Sequence, residues 1–169
     1  RFIFLWIAFN SAYATDIDEQ FRLSEQSTFK AFLDKLCALD TANLIERYYA
    51  AFNGGDMGTF LSLLTDDVVH DINQGGRETG RPAFERFMSR MNAHYREQLT
   101  DVVVMVSADG TRAAAEFVVH GEYLSTDDGL PAARGQRYVL PAGAFFDVRN
   151  GKVARISNFY NLQDWIAQV

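Results

Sequence analysis

The chain has 169 residues, 48% of them apolar, and 16 Lys+Arg against 22 Asp+Glu give a net charge of −6. A chain near this size buries roughly 70% of its unfolded surface, so one domain with a sizeable core is expected and a disordered chain is excluded. The acidic balance leaves no basic stripe to displace counterions from phosphate, which argues against a nucleic-acid partner. The single cysteine, Cys37, cannot form an internal disulfide, and no Cys/His spacing suggests zinc. Aromatics make up 14% of the chain, enough for a core and for an aromatic cavity.

Phe2 to Phe9 is an apolar run far shorter than the roughly 20 residues a membrane span needs, so no stable membrane insertion is expected. Arg1, that run and Ala12-Tyr13-Ala14 resemble an export signal over residues 1–14. The chain is read as cytoplasmic, with export as the alternative. Residues 15–27 have linker composition. Phe29, Phe32, Leu33 and Leu36 predict a short helix over 28–39, which completes an N-terminal extension of residues 1–40.

From residue 41 to 169 the pattern is that of one domain. Thr41 is placed to cap a helix with Leu44, Ile45, Tyr48, Tyr49 and Phe52 on one stripe. Asn53-Gly54-Gly55 ends it, and Asp56 caps a helix carrying Met57, Phe60, Leu61 and Leu64. Thr65-Asp66-Asp67 reads as a turn, Val68 to Ile72 as a strand, and 73–80 as a Gly-rich loop. Pro82 opens a third amphipathic helix with Phe84, Phe87, Met88, Met91 and Tyr95. The period then changes from 3.6 to 2. Strands over 102–107 and 112–124 flank Asp109-Gly110, and strands over 137–149 and 153–160 flank Asn150-Gly151. Leu162, Trp165 and Ile166 mark an amphipathic tail. Helices first and a meander last predict an α+β fold: a cone-like curved antiparallel sheet packed against three N-terminal helices, with a cavity between them.

The stretch LIERYYAAFNGGDMGTFLSLLTDDVVHD, the helix start GRPAFERF and the final AFFDVRNGKVARISNFYN resemble the nuclear-transport-factor-like superfamily, in its SnoaL-like and ketosteroid-isomerase-related branch. The resemblance covers about residues 41–169 and implies the cone-like fold. It leaves the chemistry open among isomerases, polyketide cyclases, epoxide hydrolases, dehydratases and non-catalytic members. Tyr48 matches the oxyanion tyrosine of ketosteroid isomerases. Their general base falls at Ile72 without a gap, or at Asp71 with one. Their second oxyanion acid falls at Gly143, so that catalytic set is incomplete. The Asp-Arg-Asp set of limonene epoxide hydrolases falls on Glu116, Val118 and Asn158, and is absent.

Counting from the hairpins in the resembling families places Glu116, Val118 and His120 toward the cavity, with Gly143 and Phe145 on one neighbouring strand and Ile156, Asn158 and Tyr160 on the last. His70 faces inward in one register of the first strand, and a one-residue slip puts Asp71 there instead. The candidate catalytic residues are therefore Tyr48, His70, Asp71, Glu116 and His120. Phe52, Val118, Glu122, Phe145, Ile156, Asn158 and Tyr160 are the candidate substrate-binding residues, with Glu122 near the mouth. His94 reads as a solvated surface residue. Histidine near neutrality with a desolvated glutamate can move protons, and Tyr and Asn can steady an enolate without a metal. The expected function is cofactor-independent general acid–base catalysis (isomerase, cyclase or dehydratase) on a small hydrophobic carbonyl or cyclic compound. The alternative is a non-catalytic ligand-binding or dimerisation module. No cofactor is implied, and a homodimer through the outer sheet face is expected.

Overall fold

Leu39-Asp40-Thr41-Ala42 contains neither Gly nor Pro, and nothing in it stops a helix. In the computed structural model, which describes residues 25–169, one helix, α1 (Glu25–Asn53), runs through Thr41 without a break. Thr41 is thus not a cap. Its buried hydroxyl donates to the Gly110 carbonyl at 2.7 Å, tying the helix to a hairpin tip. The signal-like segment 1–14 and residues 15–24 of the predicted linker lie outside the described residues, and the linker's last three residues, 25–27, are helical.

Gly55 takes φ +66 after α1, and the Asp56 carboxylate accepts from the Thr59 N–H at 3.0 Å to start α2 (Met57–Ser62). The predicted turn at 65–67 is absorbed into β1 (Leu64–Asp71). The Gly-rich loop contains a short strand, β2 (Arg77–Thr79), and Pro82 sits in the first turn of α3 (Arg81–His94) as expected. The remaining elements are β3 (Tyr95–Val106), β4 (Arg112–Tyr123), β5 (Gln136–Arg149), β6 (Lys152–Tyr160) and α4 (Leu162–Gln168). β3 starts seven residues earlier than periodicity predicts.

The strands form one six-stranded sheet in the order β2-β1-β6-β5-β4-β3, with β1 and β6 parallel and the other pairs antiparallel. The fold is the expected α+β cone, with the helices on the concave face. Ile45, Leu64, Val153 and Tyr123 have no exposed surface, and with Phe60, Phe84, Phe146 and Trp165 they belong to the core between the helices and the sheet. Gly110 takes φ +69 in the β3–β4 turn, and a Cβ there would lie 2.6 Å from the Cys37 backbone, so only glycine lets the tip close on α1.

Two irregularities set which side chains face the core. Thr100 pairs with Val118 but Val103 pairs with Glu116, so β3 carries one extra residue next to Asp101, whose φ is +54. Asp147 pairs with Arg155 but Val148 pairs with Val153, so β6 carries one extra residue at Ala154. The second bulge reverses the inside and outside of β5 and β4 relative to an unbroken ladder. Ile156 lies opposite Phe146, which lies opposite Ala113.

Candidate functional site

A cavity of about 740 Å³ lies between the helices and the concave sheet face. Phe52, Phe60, Phe84, Phe87, Met88, Phe117, Val119 and Leu140 form its apolar wall. The helical stripes predicted over residues 44–52, 57–64 and 84–95 each supply part of the cavity lining, because the apolar face that drives helix packing is also the face turned to the sheet.

His70 is carried inward by β1 beside Val68 and is 2% exposed. Its ring lies 4.8 Å from Phe84 and 4.5 Å, edge-on, from Phe87. Nε2 is 3.2 Å from the Asn158 Nδ2, while Nδ1 is buried with no hydrogen-bond partner. With the amide nitrogen toward the ring, Nε2 accepts and Nδ1 carries the proton; with the amide reversed, Nε2–H donates and Nδ1 holds the lone pair. Burial lowers the His70 pKa from 6.5 to about 4, and the nearby Asp71 charge opposes this only in part. The imidazole is therefore neutral at neutral pH and available as a base.

Tyr48 also lies where the sequence predicts, on the cavity side of α1. Its ring is 4.4 Å from Phe60 and 5.6 Å from Phe146, and burial pushes its hydroxyl well above the usual phenol range. It stays a neutral donor. Phe52, Asn158 and Tyr160 complete the group that the structure brings to the cavity. Ile156 points inward as expected but packs in the core, 1% exposed, away from the cavity lining.

The other predicted residues lie elsewhere. Asp71 points to the outer face, where Arg77 at 2.6 Å, Ser157 at 2.8 Å and Arg155 at 3.2 Å hold it; the Arg77 contact leads in keeping its carboxyl below the usual range. Glu116 and His120 are exposed and Val118 is half-buried, all on the back of β4, because Phe117, Val119 and Tyr123 take the inner face. Glu122 is on the same outer side, paired with Arg96 at 3.3 Å. Phe145 is 56% exposed and packs on Phe159 at 5.6 Å, while Ala144 and Phe146 turn in. Gly143 is in register with Glu116 on the outer side, although its backbone borders the cavity. One bulge accounts for the displacements on β4 and β5. An unbroken ladder that keeps Ile156 inward also carries Phe145, Glu116, Val118 and His120 inward, and the extra residue at Ala154 shifts each by one place.

Sequence reasoning missed Glu97 and Tyr138, which both line the cavity. The Tyr138 hydroxyl donates to Glu97 Oε1 at 2.6 Å. Burial raises the Glu97 pKa, and the Tyr138 hydrogen bond opposes this. The available signal was alternation: Tyr95, Glu97 and Leu99 follow a period of 2, although helical spacing assigns Tyr95 to the end of the third helix and leaves 96–101 without an element; Tyr95 instead opens β3. The loop after β4 closes this end of the cavity. Its Asp127, 5% exposed, accepts from Arg90 at 2.8 Å and from the Tyr95 hydroxyl at 3.1 Å, and Trp165 of α4 packs on Tyr123 at 5.2 Å. Among the described residues no group of three or more His, Cys, Asp or Glu could hold a metal ion, and no helix is long and apolar enough to cross a membrane.

Residues 45–156, from α1 to β6, match the SnoaL-like domain family. The chain belongs to that family. Three crystal structures, each described as a “putative polyketide cyclase”, are similar to this SnoaL-like chain. The protein from Pseudomonas putida KT2440 is 61% identical, with 76% of this chain and 97% of that chain covered and a TM-score of 0.76. The protein from Xanthomonas campestris pv. campestris is 57% identical over 78% of this chain and 98% of that one, also with a TM-score of 0.76. The protein from Silicibacter sp. TM1040 is 49% identical over 76% and 94%, with a TM-score of 0.75. No curated protein matches the chain.

Proposed function

We propose that this SnoaL-like protein is a cofactor-independent, cyclase-type enzyme acting on a small, mostly apolar carbonyl compound. The observation that carries the reading is a neutral His70 held against Asn158 in an aromatic cavity. His70 removes a proton from a carbon next to a carbonyl, and the neutral hydroxyl of Tyr48 steadies the oxygen that gains charge. Similarity to the three structures described as polyketide cyclases supports cyclisation over isomerisation or dehydration as the outcome.

The protein is further proposed to act as a homodimer through the outer sheet face. Val103, Met105, Val139, Phe145 and Phe159 are each 50–56% exposed there, an apolar patch of the kind that marks an interface.

A hydrophobic phenol such as 2-naphthol, an enol mimic, is expected to raise the melting temperature of the wild type. His70→Ala and Tyr48→Phe should both reduce that rise. Absence of any rise, or equal rises in wild type and both variants, would refute the site. Binding with no turnover of any cyclisable dicarbonyl would favour a non-catalytic ligand-binding module.

A further inference from the structure

The chemistry assigned to His70 leaves a second, half-buried titratable group of the cavity unused. Glu97 projects inward from β3 in register with Gly121 of β4, which is in register with Tyr138 of β5. A Cβ at Gly121 would fall within the Tyr138 ring. Its absence lets that ring lie across β4 and reach Glu97 Oε1. Among the described residues this is Glu97's one hydrogen bond, and no cation pairs with it. Neighbouring Arg96 is turned outward onto Glu122, and Arg90 is held by Asp127. The titratable groups that face Glu97 are two phenols, Tyr138 and Tyr160, both shifted upward by burial. A desolvated carboxyl with one donor and no counter-ion is costly as an anion and favoured as the neutral acid.

His70 and Glu97 come from β1 and β3, with β6, β5 and β4 between them in the sheet order, and the curl of the sheet turns both into one cavity. Their environments favour a neutral base on one wall and a neutral acid on the other, the division of labour that acid–base chemistry at neutral pH needs.

We propose that Glu97 is the acid of the cavity: its Oε2 protonates the acceptor carbonyl of a dicarbonyl substrate whose donor carbon is deprotonated by His70. The proposal rests on the reading of His70 as base. The C–H bond breaks, and its electron pair forms the new C–C bond to the acceptor carbonyl carbon. The π pair of that carbonyl takes the Glu97 proton and becomes a hydroxyl. His70 is left as imidazolium and Glu97 as carboxylate, which the Tyr138 O–H steadies. One proton passing from the imidazolium to solvent and one from solvent to Glu97 restore both groups. The product is a cyclic hydroxy ketone, and no oxidant, reductant or cofactor enters the balance. The substrate class is an uncharged, largely apolar dicarbonyl with its two oxygens at opposite walls.

The test uses 1-hydroxyanthraquinone, a flat, coloured, uncharged compound with oxygens on opposite sides, titrated by absorbance into wild type and variants whose melting curves confirm folding. Glu97→Leu is expected to weaken binding about tenfold, the worth of one buried hydrogen bond, and Glu97→Gln, which keeps an uncharged donor, less than about threefold. The infrared difference between unliganded wild type and Glu97→Gln at pH 7 should contain the carbonyl-stretch band of a protonated carboxyl, which a purely structural glutamate ion-pair role would not produce. Absence of that band, or equal binding by wild type and Glu97→Leu, overturns the proposal. A response to His70→Gln without one to the Glu97 variants removes the acid and keeps the base; the reverse keeps the acid and removes the base. Failure of the wild type to bind the probe overturns both.

Discussion

Acidification should destabilise this protein through His70 at a pH where most carboxylates are still ionised. In the fold, burial holds the His70 pKa at about 4, against 6.5 for the free side chain. The unfolded chain therefore binds the proton first as pH falls. Stability contributed by the neutral ring is fully present above pH 6.5, declines below it and levels off under pH 4. At about 1.36 kcal/mol per pH unit, the full loss is about 3 kcal/mol, with about 2 kcal/mol already gone at pH 5. Other groups act in different windows or with the opposite sign. Arg77 holds Asp71 low and Arg90 holds Asp127 low, so both lose their stabilisation only as pH falls below 3.8. Burial raises Glu97, so its contribution grows as pH falls toward 4.5. Urea denaturation of wild type and His70→Gln from pH 8 to pH 4.5 isolates the histidine, because the other groups are common to both. The stability gap between them should narrow by about 2 kcal/mol between pH 8 and pH 5. A gap that stays constant over that range would refute the reasoning, and with it the neutral, desolvated imidazole on which the proposed base depends.

Gly121→Ala places a methyl where the Tyr138 ring lies, so the ring must move and release Glu97. A cost of about 1–3 kcal/mol in urea denaturation is expected, with lowered affinity for 1-hydroxyanthraquinone; an unchanged midpoint would show that the ring yields freely. Thr41→Val removes the buried hydrogen bond to Gly110 and should cost about 1 kcal/mol or slightly more, read from the same measurement. Phe145→Asp puts a charge in the centre of the outer apolar patch without touching the cavity. It should shift the sedimentation coefficient from dimer to monomer, and an unchanged value would rule out that face as the dimer contact.

The residues misplaced on β4 and β5 share one physical origin. Period-2 alternation on β4 offers Phe117, Val119 and Tyr123 against Glu116, Val118, His120 and Glu122, and burial of the first set is what the hydrophobic effect favours. Counting from Asp109-Gly110 in the resembling families gives the opposite face. Parity passes from strand to strand only while the ladder is unbroken, and the extra residue at Ala154 breaks it between β6 and β5. An inward set of Ile156, Asn158 and Tyr160 is therefore incompatible with an inward set of Phe145, Glu116 and His120, and the fold keeps the first set. Glu97 was missed for a related reason. The bulge beside Asp101 interrupts the alternation between Leu99 and Val102, so the first half of β3 does not read as one strand with the second.

The amino-acid sequence by itself determined the order of elements, the α+β cone, the apolar stripes that form the cavity wall and the presence of Tyr48 on one of them. These follow from local periodicity and turn chemistry, which a linear pattern records directly. Tertiary structure alone decided that His70 rather than Asp71 faces inward, that Glu116 and His120 lie on the back of the sheet, and that Glu97 meets Tyr138 across Gly121. Each of these depends on strand register, and a single inserted residue resets register for every strand hydrogen-bonded beyond it.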